Sequence, residues 1–343
     1  IWVGLFFLLA KTGFATFQVT YLALPAEFTD DYSERTRIMS IRIVFLTLSI
    51  LLFGAGAPLL VKAFGSGRGG YSGMALVVAV LLLVSTIVCW AILRHVRSYT
   101  QAESEPSLQE RFAAVRENPW FLRLATTFVL QAVATGAMLA AVPYLATYVL
   151  DGGETEQTLV FVCLVAPAMI VMPIWGMVSR RLGKQRGLLL ASAVFLFAAL
   201  GLFFSRSLPP AGVYVLVGLV GVAYAGMQMF PLAMLPDTVA ADAAQRGQQR
   251  AGVFSGVWAA AETVFLALGA AGVGLILAIT GFVSSEAGER AAQPGSALTG
   301  IVISFSLFPA LMMLLSLPTL FKYDLTESRL NDLRGAHDPA ATS

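Results

Sequence analysis

Long apolar stretches separated by short polar segments follow one another along almost the whole chain. Nine of them are at least 18 residues long, at 1–24, 40–62, 73–93, 121–149, 157–179, 187–204, 211–235, 252–281 and 298–321. An α-helix of about 20 apolar residues crosses the hydrocarbon core of a bilayer. Lipid-exposed open strands are excluded, because their backbone groups would lack hydrogen-bond partners. The pattern therefore predicts nine transmembrane helices.

The amino-acid composition is also typical of a protein that is embedded in a membrane. Hydrophobic residues make up 57% of the chain and charged residues only 12%, whereas soluble domains carry about 25% charged residues. The net charge of +2 and the absence of a basic run in the sequence give no support for nucleic-acid binding. Cys89 and Cys163 lie in apolar stretches, and His95 and His337 are far apart in the sequence. We therefore expect no metal site, no cofactor and no enzymatic activity.

The basic residues indicate an orientation. Seventeen lysines and arginines fall in the tail and in the connections that follow odd-numbered spans, and four fall in the alternate connections. Cytoplasmic loops carry the excess of positive charge in membrane proteins. The bias predicts that residues 25–42 and the C-terminus are cytoplasmic. Residues 94–120 form the longest polar connection, which is either a short surface helix or a flexible linker between two halves of the chain.

Two charged segments of the chain share a spacing. PAEFTDDYSERTRIMSIR (25–42) contains Asp31 and Arg35 four residues apart, and PDTVAADAAQRGQQRAGVFSG (236–256) contains Asp242 and Arg246 at the same distance. The first segment follows the first predicted span and the second follows the seventh. A repeat of six helices is typical of secondary transporters built from two related halves. The spacing also places each acid and arginine on one helix face, where they can pair.

These segments carry a family resemblance. TYLALPAEFTDDYSERTRIMSIR (20–42) resembles the segment after the fourth helix of the glycoside–pentoside–hexuronide:cation symporters, the melibiose-permease branch of the major facilitator superfamily. PDTVAADAAQRGQQRAGVFSGVW (236–258) is similar to the segment between helices ten and eleven of that family. NPWFL (118–122) resembles its entry to helix seven, and YDLTES (323–328) the start of its tail.

The resemblance implies an all-α membrane protein with a major-facilitator-type bundle of twelve helices. The nine spans would then be helices four to twelve, and we expect the chain to be truncated at its N-terminal side by three helices. The implied units are the three-helix remainder of an N-terminal bundle (1–97), a cytoplasmic linker (98–120), a six-helix C-terminal bundle (121–322) and a cytoplasmic tail (323–343). The membrane would be a bacterial inner membrane.

The resemblance also implies that charged residues at the cytoplasmic helix ends bridge the two halves when the transporter faces outward. The predicted gate residues are Glu27, Asp31, Arg35, Asp237, Asp242, Arg246 and Arg250. An ion pair at the membrane surface contributes about 0–1 kcal/mol, which biases a conformation without fixing it. The alternative is that these charges solvate helix ends and have no gating role.

Ionisable residues inside a membrane bundle indicate function, because they are costly to bury. Lys11 lies in the first span and Glu262 in the eighth. The resemblance places the cation-binding aspartate of the family at Gln18 and its lysine partner at Thr263, so neither ionisable group is retained. We hypothesise instead that Lys11 and Glu262 form a charge-swapped pair. The alternatives are that Lys11 snorkels or packs against a missing helix, and that Glu262 has another partner.

Further cavity candidates are polar and aromatic residues that suit a sugar by hydrogen bonding and stacking, namely Gln131, Tyr144, Tyr224, Gln228, Trp258 and Thr263. The alternative for the tryptophan and tyrosines is that they anchor helices at the membrane interface. The resemblance implies symport of a sugar, a glycoside or a related small solute by alternating access, with Na⁺ or H⁺ as the coupling ion. A lipid or lysophospholipid carrier and a non-transporting scaffold or sensor are the alternatives. The expected partners are a small-molecule solute and the bilayer, without nucleic acid, for a monomeric protein.

Overall fold

The computed structural model describes residues 67–94, 108–246, 250–284 and 291–335 without interruption, together with isolated residues and short groups between positions 6 and 65. Within these residues the chain is helical and contains no strand. The helices are α1 (Gly67–Leu93), α2 (Leu108–Glu117), α3 (Pro119–Tyr144), α4 (Glu154–Leu182), α5 (Lys184–Leu202), α6 (Pro210–Arg246), α7 (Ala251–Ile279), α8 (Gly295–Phe305), α9 (Leu307–Phe321) and α10 (Glu327–Gly335).

Seven segments of the described chain are long and apolar enough to cross a membrane. They are Gly67–Ile92, Pro119–Val149, Thr155–Leu182, Lys184–Leu202, Pro210–Arg246, Gly252–Ile279 and Gly295–Phe321. Each coincides with one of the last seven predicted spans, which confirms an all-α membrane protein. The predicted spans 1–24 and 40–62 lie largely outside the described residues, so the total of nine stays a prediction.

The six spans that follow α1 pack together as a helical bundle. Helix α3 packs against α7 and α9, while α6 packs against α4 and α5, and α9 also contacts α5. Large apolar side chains fill the interior, including the fully buried Phe121, Phe195, Phe230 and Phe254. The assignment of residues 1–97 to a separate bundle stays a prediction.

Glycines allow two pairs of helices to approach closely. A Cβ atom added to Gly136 of α3 would overlap the Leu266 carbonyl oxygen of α7, and one added to Gly269 of α7 would overlap the Val133 carbonyl oxygen of α3. A Cβ atom added to Gly221 of α6 would likewise overlap the Leu164 carbonyl oxygen of α4. Small residues are the usual means of helix packing in membranes, where apolar burial does not drive association between helices.

Local sequence sets several helix ends and irregularities. Asn118 caps α3, since its side-chain oxygen accepts a hydrogen bond from the Phe121 amide at 2.9 Å, and Pro119 occupies the first turn, where no amide hydrogen is required. Pro143, which lacks an amide hydrogen, lies just before the π-helical turn Leu145–Val149. Gly183, with φ +86°, allows the tight turn between α4 and α5.

Candidate functional site

A polar group lies halfway along the apolar helices α6 and α7. It consists of Tyr224 and Gln228 on α6 and Glu262 on α7, and all three side chains are partly buried. The Gln228 amide nitrogen lies 3.2 Å from the Tyr224 hydroxyl oxygen and donates a hydrogen bond to it. The Glu262 carboxylate, on the neighbouring helix α7, acts electrostatically on the same hydroxyl. This polar group offers hydrogen-bond donors, acceptors and a carboxylate at the depth where transporters bind solutes.

Gln131 is buried inside the bundle, away from bulk solvent. Its side chain is 2% exposed, and its amide nitrogen lies 3.3 Å from the Ser192 hydroxyl oxygen on α5. The Ser192 hydroxyl in turn donates to the Leu188 carbonyl oxygen at 2.8 Å. Among the described residues, the amide oxygen of Gln131 has no hydrogen-bond partner. The observed contacts of Gln131 therefore join α3 to α5.

Trp258 packs within the interface between α3 and α7. Its ring is stacked on Phe128, with 4.0 Å between the ring centroids and 20° between the planes, and it meets Phe121 edge to face at 6.5 Å. Only 4% of Trp258 is exposed, and its indole nitrogen has no hydrogen-bond partner within the described part of the chain. At least one face of this ring is thus occupied by protein rather than open to a sugar.

Thr263 has an exposed side chain, and its hydroxyl donates to the Ala259 carbonyl oxygen of the same helix at 3.1 Å. The remaining membrane candidates, Lys11 and Gln18, lie outside the described residues, as do the predicted gate residues Glu27, Asp31 and Arg35. The hypothesis of a Lys11–Glu262 pair therefore stays a prediction. Within the described residues no group of three potential ligands could hold a metal ion.

A cavity of about 290 Å³ lies between α3, α4, α5 and α6. Its lining is almost wholly apolar and comprises Met138, Leu139, Phe161, Leu164, Val165, Phe195 and Val220. Thr135 and Tyr224 are the two lining residues with a side-chain hydroxyl. Tyr224 therefore belongs both to this cavity and to the polar group. The sequence did not indicate the cavity, because its residues read as ordinary apolar positions of four separate spans.

A charged cluster joins the end of α6 to the start of α7 and to helix α2. Its members are Glu117, Asp242, Arg246 and Arg250. Asp242 is only 2% exposed and receives two hydrogen bonds from the Arg250 guanidinium, both of 3.1 Å. Arg246 lies 3.3 Å from the same carboxylate and 2.9 Å from the Glu117 carboxylate. The i,i+4 contact expected between Asp242 and Arg246 is thus present, and the sequence did not indicate the role of Glu117.

Asp237, the remaining predicted gate residue in this part of the chain, pairs with a residue of α5. The Lys184 ammonium lies 2.6 Å from the Asp237 carboxylate and 2.9 Å from the Ala233 carbonyl oxygen. The sequence did not predict this ion pair. Both partners belong to the same bundle, so this ion pair joins α5 to α6.

A tail cluster ties residues 322–330 to the start of α3. Its members are Trp120, Arg123, Asp324 and Arg329. The Trp120 indole nitrogen and the Arg123 guanidinium each donate to the Asp324 carboxylate at 2.9 Å, and Arg329 pairs with its other oxygen. The Arg329 guanidinium also lies 5.7 Å from the centre of the Trp120 ring, within cation–π range.

Electrostatics at the tail cluster favour a charged Asp324 and a neutral Tyr323. Partial burial raises the pKa of the Asp324 carboxyl, but the hydrogen bond from Trp120 and the charges of Arg329 and Arg123 outweigh that effect and lower the pKa below its ordinary value. Burial of Tyr323, together with the negative charges of Asp237 and Asp324, raises the pKa of the phenol. The sequence indicated this segment only through its YDLTES similarity, because the contacts join positions about 200 residues apart.

Comparisons with known proteins identify one family and two relatives that are named symporters. The family described as MFS/sugar transport protein matches residues 1–327 of this chain. The uncharacterized symporter YnaJ of Bacillus subtilis is 25% identical over 331 residues, which cover 93% of this chain and 69% of the relative. The uncharacterized symporter sll1374 of Synechocystis is 25% identical over 306 residues, which cover 84% of this chain and 56% of the relative. The chain thus spans 69% of the length of the first relative and 56% of the length of the second.

Proposed function

Because this chain belongs to the family of MFS/sugar transport proteins, and is therefore a membrane transporter and not an enzyme, we propose that it serves cation-coupled symport of a glycoside or related small organic solute. The similarity to two proteins that are named symporters supports coupling to an ion gradient. Na⁺ and H⁺ are the two candidate ions. The proposal concerns the whole protein, of which this chain supplies the six-helix bundle from α3 to α9.

The observation that carries this proposal is the polar group at Tyr224, Gln228 and Glu262. Polar and ionisable side chains halfway along apolar membrane helices are rare and often mark the path of a solute or an ion. An amide, a phenol and a carboxylate together match the hydroxyl groups of a sugar, which both donate and accept hydrogen bonds. Glu262 is also the carboxylate in this group that could respond to a proton or a sodium ion.

We propose that the charged cluster contributes to closing one side of the transporter. The positive-inside bias supports a cytoplasmic position for this side and for the C-terminus, in the inner membrane of a bacterium. In the described structure Arg246 and Arg250 contact Asp242 and Glu117. Exchange of these contacts for contacts with Glu27 and Asp31 during the transport cycle would alternate access to the polar group.

Uptake of radiolabelled glycosides by proteoliposomes containing the full-length protein tests the proposed site. Gln228→Ala and Glu262→Gln are each expected to lower uptake at least about 10-fold, because loss of one hydrogen bond to a charged or well-placed group costs about 1.5 kcal/mol or more. Asp332→Asn, at an exposed position of α10, is the matched control and should transport as the wild type does. Normal uptake by both site variants would contradict the assignment.

A carrier for lipids or lysophospholipids is the second candidate, and the apolar lining of the 290 Å³ cavity favours it. Uptake of a lysophospholipid by the same proteoliposomes, with no uptake of any glycoside, would establish this alternative in place of the first.

A further inference from the structure

The apolar cavity is large for the interior of a helical bundle. Protein interiors contain few voids larger than a water molecule, whereas this cavity has a volume of about 290 Å³. A cavity of about 150 Å³ lined by Leu, Ile and Phe is sufficient to bind benzene. The space between α3 and α6 can therefore hold a substituted aromatic ring or a short alkyl chain.

The position of the cavity argues against a simple groove for bilayer lipid. Met138, Leu164 and Val220 line it and are no more than 5% exposed, so most of its wall lies inside the bundle. Leu139, which is 39% exposed, lies at its rim. The cavity thus has a buried wall and an open side, at which Thr135, Phe161 and Tyr224 are partly exposed.

The cavity and the polar group share one residue. The Tyr224 side chain lines the cavity, while its hydroxyl accepts the hydrogen bond from Gln228 one turn further along α6. One molecule with an apolar part and a polar part can consequently occupy both places at once. Apolar pockets with a few convergent polar groups are the usual form of small-molecule sites.

We propose that the solute is an amphiphilic glycoside, with its sugar at Tyr224, Gln228 and Glu262 and its apolar aglycone in the cavity between α3, α4, α5 and α6. This inference rests on the proposed transport of a glycoside and adds the chemical class of the group attached to the sugar. Phenyl glycosides should bind better than methyl glycosides of the same sugar, because the ring leaves water on binding.

The test compares phenyl and methyl glycosides of glucose, galactose, xylose and glucuronic acid in proteoliposomes with the full-length protein. For each sugar that is transported, the apparent KM of the phenyl compound is expected to be about 10-fold to 100-fold lower than that of the methyl compound, given the transfer free energy of a buried aromatic ring. Equal KM values for the two compounds would overturn the inference.

Three variants test whether the preference for phenyl over methyl glycosides arises in the cavity. Val220→Phe places a ring in the cavity, and Leu139→Phe narrows its rim at a partly exposed position where an added ring is easily accommodated. Both should abolish the preference, so that the phenyl and methyl compounds of one sugar have similar apparent KM values in these variants. Val215→Phe, at a position of α6 that is 64% exposed, is the control and should keep the preference. If Val220→Phe does not fold, Leu139→Phe decides, and an unchanged preference there overturns the inference.

Photolabelling with phenyl azide separates failure of the inference from failure of the proposed function. Labelling of cavity residues in the wild type, its loss in Val220→Phe and its displacement by excess phenyl glycoside are the expected results. Labelling that is absent, or that phenyl glycosides do not displace, overturns the inference. Labelling without uptake of any glycoside overturns the proposed function and leaves the apolar site in place.

Discussion

Single polar residues within the membrane differ in how their hydrogen bonds are satisfied. Thr263 donates to its own helix, and Gln131 contacts Ser192 on a neighbouring helix. Gln228 bonds the hydroxyl of Tyr224 on its own helix, and a tyrosine hydroxyl can both donate and accept, so it can also bond a solute. Local back-bonding of the kind made by Thr263 satisfies a hydroxyl without a ligand. Among the described candidates, Gln228 and Glu262 are therefore the residues best suited to bind a solute.

The hypothesis of a Lys11–Glu262 pair gives a prediction at this scale. Lys11→Met and Glu262→Gln should each abolish uptake, because each leaves a buried charge without compensation. The double exchange Lys11→Glu with Glu262→Lys should restore part of the uptake. Transport assays on the three variants check this, with expression in the membrane as the control for folding. Normal transport by both single variants and no rescue by the exchange would show that the pair does not exist.

The pKa of Asp324 predicts a pH dependence of stability. Its folded-state pKa is lowered, so the contribution of the charged carboxylate is present above the unfolded value of about 3.9 and is lost as the pH falls through the folded value. Asp324→Asn should therefore lower the apparent Tm at pH 7, and the difference from the wild type should shrink as the pH falls below the unfolded value. The carboxylate is 46% exposed, so solvent screening limits the effect to about 1 kcal/mol or less. A difference in Tm that is independent of pH would contradict this explanation.

At the scale of helices, glycine controls the contact between α3 and α7. Gly136→Ala would place a methyl group against the Leu266 carbonyl oxygen, which is backbone and cannot move aside. We expect a destabilisation of about 1–3 kcal/mol, as for other overpacked interiors, measured as a lower apparent Tm in detergent. Gly274→Ala on α7 is the matched control, because no atom lies within 4 Å of the added Cβ. Equal effects of the two substitutions would argue against close packing of α3 on α7.

The acidic residues of the charged cluster differ in how deeply they are buried. Asp242 is 2% exposed between two arginines, whereas the Glu117 side chain is 45% exposed. Asp242→Asn should therefore lower the free energy of unfolding by about 3 kcal/mol, and Glu117→Gln by less than about 1 kcal/mol. Thermal unfolding of the two purified variants measures the difference. Similar losses of stability would show that burial of Asp242 does not strengthen this cluster.

The helices themselves could be predicted from the sequence, whereas most contacts between them could not. The length of an apolar run is a local property, and it placed the last seven spans correctly, including the span interrupted at Ser306. The i,i+4 spacing of Asp242 and Arg246 is equally local. The partners of Asp324, in contrast, lie about 200 residues away, and the apolar cavity requires four helices at once. These contacts depend on how distant helices pack together, which the spacing of apolar residues along one helix does not determine.

At the scale of the whole molecule, the family assignment identifies the helical bundle as that of a membrane transporter. Membership of the MFS/sugar transport family confirms the resemblance to major facilitator symporters that the charged segments indicated. The solute, the coupling ion and the closing of the charged side remain proposals. They share one physical requirement, namely that occupation of the polar group changes which side of the membrane can reach it.

Accumulation of solute against its gradient is the most direct test of coupled transport. Proteoliposomes containing the full-length protein are given an inward Na⁺ gradient, an inward H⁺ gradient or neither, and uptake of the glycosides is followed over time. The account predicts that one of the two gradients raises the internal concentration above the external one, and that Glu262→Gln removes this accumulation. Uptake that never exceeds equilibrium under either gradient would contradict symport.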